Sequence, residues 1–163
     1  MTPEIMPEAA FATRSIILER NLDHPPGKVW RALTEGALLE RWLMPGDFRA
    51  EVGHRFSLRA EPVPNWNGVT EGEVLIVEPP RRLVYRWRTV GAAGDGLTTT
   101  VSWTLTPTPD GTFLRLEQSG FRPQDEPNYR GATRGWARFL GGLEKLLAGL
   151  AGEEGGTAPA GPT

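Results

Sequence analysis

Residues 97–119 read LTTTVSWTLTPTPDGTFLRLEQS. Two runs that alternate apolar and polar residues flank the turn-forming segment Pro107–Gly111, which is the signature of an antiparallel hairpin. Residues directly opposite in such a pair share a face. Setting Leu105 against Leu114 puts Trp103 against Leu116 and Val101 against Gln118. The other face then pairs Ser102 with Glu117 and Thr104 with Arg115. A slip of one residue would mix the two faces, so the pattern selects this register.

Working outward, Gly68–Glu78 and Arg82–Val90 read as strands around the turn Pro79-Pro80-Arg81, and GAAGDG (91–96) as the turn into Leu97. Setting Glu78 against Leu83 pairs Ile76 with Tyr85, Val74 with Trp87 and Glu73 with Arg88. Phe48–Arg59 reads as a strand with Phe56 and Leu58 on one face, and Arg14–Asn21 as a β-branched first strand. The expected covered face is Val74, Ile76, Tyr85, Trp87, Val101, Trp103, Leu105, Leu114, Leu116 and Gln118.

Two short helices separate the first strand from the meander. Val29, Trp30 and Leu33 follow Asp23-His24-Pro25-Pro26, where Asp or His can cap and proline suits the first turn. Leu38, Leu39 and Trp42 mark the second, stopped at Met44-Pro45-Gly46. Near the C-terminus, Tyr129, Ala132, Trp136, Phe139, Leu140, Leu143, Leu146, Leu147 and Leu150 recur at spacings of three and four. That periodicity predicts an amphipathic helix of about 20 residues or more, which covers the apolar face. Gly131, Gly135, Gly142 and Gly149 gather on one edge of its stripe. Each costs up to about 1 kcal/mol against alanine. They reflect either a glycine-rich composition or a bare edge that admits a strand or a ligand.

The chain has 163 residues, 39% hydrophobic and 23% charged, which suits a single domain spanning 13–150. Residues 1–12 and 151–163 lack a buriable pattern and are expected to be disordered. The absence of cysteine excludes a disulfide framework, a thiolate metal site and a cysteine nucleophile. Only His24 and His54 are present, which excludes an all-histidine metal site. A net charge of -2 gives no electrostatic footprint for nucleic acid. The longest apolar run, Val74–Val77, is far short of the ~20 residues of a membrane span. No secretory signal pattern is present in the first twelve residues, so a soluble cytoplasmic protein without membrane insertion is expected.

The order strand, two short helices, meander and long helix is a helix-grip arrangement, an α+β fold. The chain resembles the bacterial homologues of the activator of heat-shock-protein-90 ATPase, within the START-like (SRPBCC) superfamily. The residues that carry the resemblance begin with Pro26-x-x-Val29-Trp30-x-x-Leu33-Thr34 and Leu39-x-x-Trp42. They continue through Gly68-x-x-x-Gly72-x-Val74, Glu78-Pro79-Pro80-x-x-Leu83-Val84-Tyr85-x-Trp87 and Val101-x-Trp103-x-Leu105. Gly111-Thr112-x-Leu114, Ser119-Gly120-Phe121 and Gly135-Trp136-x-x-x-Leu140 complete the set, which spans about 14–148. The resemblance implies a curved antiparallel sheet of about six strands gripping the long helix, with an apolar cavity between them. It implies no reaction, because the family shares no catalytic motif. The chain departs from the family pattern at His54, where a second glycine is usual, and at Gln118, where a histidine is common.

The residues themselves point to no catalytic constellation. No serine sits in a Gly-x-Ser-x-Gly elbow, and His54 could serve Ser57 only if a bend joined neighbouring faces. No ligands share a metal-binding spacing around His54, Glu51 and Glu71. GAAGDG precedes no helix and carries no lysine, so it is a turn rather than a phosphate loop. No cofactor and no metal is expected. Tyr85 and Gln118, by contrast, lie among aromatic residues on the covered face, where they either bond to neighbours or orient a ligand.

The candidate lining is Tyr85, Trp87, Trp103, Gln118, Trp136, Phe139 and Leu140, with Trp42 and Phe121 near the mouth. The leading functional expectation is binding of a hydrophobic small molecule or lipid between sheet and helix, in a stress-related setting. One alternative is an accessory of a chaperone of the heat-shock-protein-90 type, which it would contact through Arg86, Arg88 and Arg115. The other is an enzyme such as a cyclase or hydrolase acting on an apolar ring substrate. The expected state is a monomer or a homodimer, the latter paired through the edge near Phe48–Arg59.

Overall fold

The computed structural model describes residues 13–61, 66–90 and 96–157. Of the segments expected to be disordered, 1–12 and 151–163, residues 1–12 and 158–163 lie outside the described residues, as does most of the 91–96 turn, while 151–157 belong to the last helix. The element order is β1 (Arg14–Leu22), α1 (Pro26–Thr34), α2 (Gly36–Trp42), β2 (Arg55–Arg59), β3 (Val69–Glu78), β4 (Arg82–Val90), β5 (Gly96–Thr108) and β6 (Gly111–Phe121). A 3-10 turn (Pro123–Asp125) then leads into α3 (Glu126–Thr157). The strands form one antiparallel sheet in the order β1-β6-β5-β4-β3-β2.

The β5–β6 hairpin has the register that its alternation demands. Leu105 opposes Leu114, Trp103 opposes Leu116 and Val101 opposes Gln118. The β3–β4 hairpin differs from expectation. A bulge lies between Val74 and Ile76, so Val74 opposes Tyr85, Ile76 opposes Val84 and Val77 opposes Leu83. The extra residue shifts the phase of the strand. Val77, not Ile76, therefore packs against the core. Trp87 lies opposite Gly72 rather than Val74. Gly72 must be glycine here, since a Cβ would collide with the Phe56 ring and the Arg86 carbonyl. The outer-face ion pairs shift with the register, to Glu73–Arg86 (3.1 Å) and Glu71–Arg88 (3.7 Å).

Three further expectations are corrected. The segment 48–54 does not extend β2: Gly53 has φ +89° and the chain turns at Glu51–His54. The outer edge of β2 is also not open for pairing. Arg59 N–H donates to the Pro45 carbonyl (3.0 Å), and Ser57 N–H donates to the Asp47 carboxylate (2.7 Å). At the start of α1, Pro25 occupies the N-cap position with no side-chain cap, so neither Asp23 nor His24 takes that role.

Helix α3 crosses the concave face, and its two halves pack differently. Leu140, Leu143, Leu146, Leu147 and Leu150 are all buried. In the first half only Trp136 is buried, while Tyr129, Ala132 and Phe139 are half-buried. The half-buried stretch begins where β6 ends, at Phe121. Leu97 and Thr99 of β5 and Thr70 of β3 lie at that same end of the sheet.

Candidate ligand site

Six of the candidate residues, Trp42, Tyr85, Trp87, Trp103, Trp136 and Phe139, form one contiguous aromatic cluster. Tyr85 stacks on Trp87 (ring centroids 5.8 Å), and Trp87 meets Trp136 (5.3 Å). Trp103 packs edge-on against Trp136 (5.7 Å), and Trp136 against Phe139 (5.7 Å). Leu140 is buried one turn from Trp136. Phe121 meets Tyr129 edge-on (5.3 Å) at the beginning of the half-buried stretch. Trp42 occupies the other side of the cluster. It packs on Trp103 (5.9 Å), donates its indole N–H to the Ala32 carbonyl (2.9 Å), and lies 3.6 Å from where a Cβ of Gly142 would stand. It therefore sits under the tightly packed half of α3.

Tyr85 and Gln118 are both hydrogen-bonded, but not to each other. The Trp103 indole N–H donates to the Tyr85 hydroxyl (2.8 Å). Burial pushes the Tyr85 phenol well above its ordinary value, so it stays neutral. The Trp136 indole N–H donates to the Gln118 side-chain oxygen (2.6 Å). The Gln118 amide donates to the Thr99 hydroxyl (2.8 Å), which donates to the Trp87 carbonyl (3.2 Å). This relay ties α3 to β6, β5 and β4 and holds Trp136 over Trp87.

Two threonines escaped the sequence reading. Thr99 is the middle of the relay. Thr70 is fully buried, and its hydroxyl has no hydrogen-bond partner among the described residues. Their sequence contexts, Val69-Thr70-Glu71 and Thr98-Thr99-Thr100, are ordinary strand sequence, and only the alternation of faces could have set them inward. Thr70, Thr99 and Gln118 are the neutral polar residues buried toward one end of the sheet, and Gln118 meets α3 through Trp136. The buried charged residues among those described are Lys28 and Asp125. Lys28 meets the His24 ring (3.0 Å), and the Asp125 carboxylate is held by the Arg122 guanidinium and backbone N–H.

The two histidines and the surface carboxylates of Glu71 and Glu73 have partners of other kinds among the described residues. His54 Nε2 lies 2.7 Å from the Asp47 carbonyl rather than on Ser57. No metal-ligating cluster occurs among the described residues. Glu71 and Glu73 pair with arginines at the surface. Among the described residues no helix is long and apolar enough to cross a membrane.

With this geometry in place, comparison with known proteins fixes the family. The family described as Activator of Hsp90 ATPase homolog 1-like protein matches residues 23–148. The chain belongs to that family. The structure of protein MLL2253 from Mesorhizobium loti is similar at 50% identity, over 83% of this chain and 97% of that one, with TM-score 0.76. CalU16 from Micromonospora echinospora is similar at 31% identity, over 83% and 76% of the two chains, with TM-score 0.65. DynU16, a protein in the dynemicin biosynthetic locus, shares the fold at 24% identity and TM-score 0.68. That match covers 82% of this chain and about half of the longer DynU16 chain (47%). None of the curated proteins matches. The helix-grip architecture of the family is thus present, and it is a fold suited to binding small molecules between sheet and helix.

Proposed function

We propose that this protein binds a hydrophobic small molecule between the Phe121 end of the sheet and the first half of α3. The observation that carries this reading is the uneven packing of α3. Its later leucines, Leu140, Leu143, Leu146, Leu147 and Leu150, are all buried, whereas Tyr129, Ala132 and Phe139 remain half-buried beside Trp136, which packs on Trp87, and Phe121, which packs on Tyr129. Apolar walls with a few placed polar groups are how small-molecule sites are commonly built. Trp87, Gln118, Phe121, Trp136 and Phe139 are the lining residues of this reading, with Tyr85, Trp103 and Leu140 supporting them from behind and Trp42 backing the closed side.

The site offers a shaped surface and neutral hydrogen-bonding groups, and no positioned acid, base or nucleophile, so binding rather than catalysis is the activity we assign. The alternative of a chaperone accessory has less support. Arg86, Arg88 and Arg115, its proposed contacts, are paired with Glu73, Glu71, and Glu19 and Glu117. Native mass spectrometry of the freshly purified protein, before and after denaturing extraction, tests the assignment. An extractable adduct of fixed mass is expected. A clean chain that also takes up no member of a panel of polycyclic hydrocarbons and ketones at 100-fold excess would overturn it.

A further inference from the structure

Thr70 is the one fully buried side-chain polar atom without a partner among the described residues. An unpaired buried hydroxyl destabilises a protein by about 1–3 kcal/mol, whereas valine would fill the same volume without that cost. The other two neutral polar residues buried toward that end are satisfied internally: Gln118 by Trp136 and Thr99, and Thr99 by Trp87. Thr70 stands opposite Thr89 on β4, which in turn stands opposite Leu97 on β5. This places it at the same end of the sheet as Leu97 and Phe121, diagonal to Trp87, whose partner in the register is Gly72. Its neighbour on β2 is Leu58. The buried charges, Lys28 and Asp125, are engaged elsewhere.

We infer that the ligand is an uncharged ring molecule carrying a carbonyl-type oxygen, and that the Thr70 hydroxyl donates to that oxygen. This rests on the binding reading above and adds the chemical class and the recognising residue. The oxygen is neutral because a carboxylate buried at the floor would find no buried cation to pair with. Thr70 acts as the group that discriminates a ketone from the matching hydrocarbon, since an acceptor that satisfies the hydroxyl gains a hydrogen bond the hydrocarbon cannot make.

The test uses the full chain with two probes of nearly equal shape, 9-fluorenone and fluorene, titrated by isothermal calorimetry. The wild type is expected to bind fluorenone about fivefold more tightly, the effect of one net hydrogen bond. Thr70→Val should abolish that preference, and Thr70→Ser should retain it. Thr70→Val should also melt no lower than the wild type without ligand, which a purely structural hydroxyl would not allow. Equal affinities in the wild type, or a preference that survives Thr70→Val, would overturn the inference and leave the binding reading standing. Binding of neither probe would overturn both.

Discussion

The relay through Gln118 makes a quantitative prediction about what holds α3 over the sheet. Gln118→Met keeps the volume roughly constant and removes two hydrogen bonds, at 2.6 Å to Trp136 and 2.8 Å to Thr99. Thr99 keeps its bond to the Trp87 carbonyl, so its hydroxyl is not stranded. The Trp136 indole N–H is stranded, since that residue is buried to 3% exposure. One lost bond at about 1 kcal/mol and one orphaned donor at about 1–3 kcal/mol give a destabilisation of roughly 2–4 kcal/mol. For a domain of this size that is a fall in Tm of roughly 6–12 °C. Urea denaturation followed by circular dichroism measures it. The double variant Gln118→Met/Trp136→Phe removes donor and acceptor together. It should be less destabilised than the sum of the single variants by about 1–2 kcal/mol. A single variant within 0.5 kcal/mol of wild type, or strict additivity in the cycle, would refute the reasoning.

Other outcomes follow from the same coordinates. Gly131→Ala and Gly135→Ala meet nothing within 4 Å, so each should stabilise the protein by up to about 1 kcal/mol in thermal melts, with ligand affinity unchanged. Gly142→Ala would bring a methyl into ordinary contact with Trp42, at 3.6–3.8 Å, and should be tolerated with little change in Tm. Tyr85 is neutral in the fold and ionises more readily when unfolded, so stability should fall by about 1.4 kcal/mol per pH unit above pH ~10. Absorbance near 295 nm should then show one phenolate step that coincides with alkaline unfolding. Asp125 is held below the usual carboxylate range by the Arg122 guanidinium, so its contribution is present at neutral pH and lost as pH falls through that lowered value. Asp125→Ala should therefore cost about 1–2 kcal/mol at pH 7 and much less near pH 2 in denaturant titrations.

The contrast between the two hairpins shows what a sequence pattern can carry. In Val101–Leu105 and Leu114–Leu116 the apolar residues alternate with Ser, Thr and Arg, so only one register separates the faces, and it is the one that forms. In β3 the run Val74-Leu75-Ile76-Val77 is apolar in both phases. A bulge inside it moves Val77 inward and Ile76 outward without leaving a polar residue in the core, so the pattern does not register the change. The aromatic members of the cluster were legible because bulky rings at strand and helix periods have few other places to go. Thr70 and Thr99 were not, because threonine serves the exposed and the buried face of a strand equally well. The glycines of α3 were legible as a stripe, but their role was not. Only contact distances separate Gly142, which faces Trp42, from Gly131 and Gly135, which face open space. The difference in packing between the two halves of α3 is likewise invisible in a stripe that runs evenly from Tyr129 to Leu150.

The central claim is that ligand enters between the first half of α3 and the Phe121 end of the sheet. The indole N–H resonances in a nitrogen-15 correlation spectrum report on it directly. Trp136 bonds Gln118 beside the proposed site, and Trp42 bonds the Ala32 carbonyl under the closed half. On titration with 9-fluorenone the account predicts that the Trp136 resonance moves in a saturable way while that of Trp42 stays in place. A Trp136 resonance that stays fixed, or a shift confined to Trp42, would contradict it.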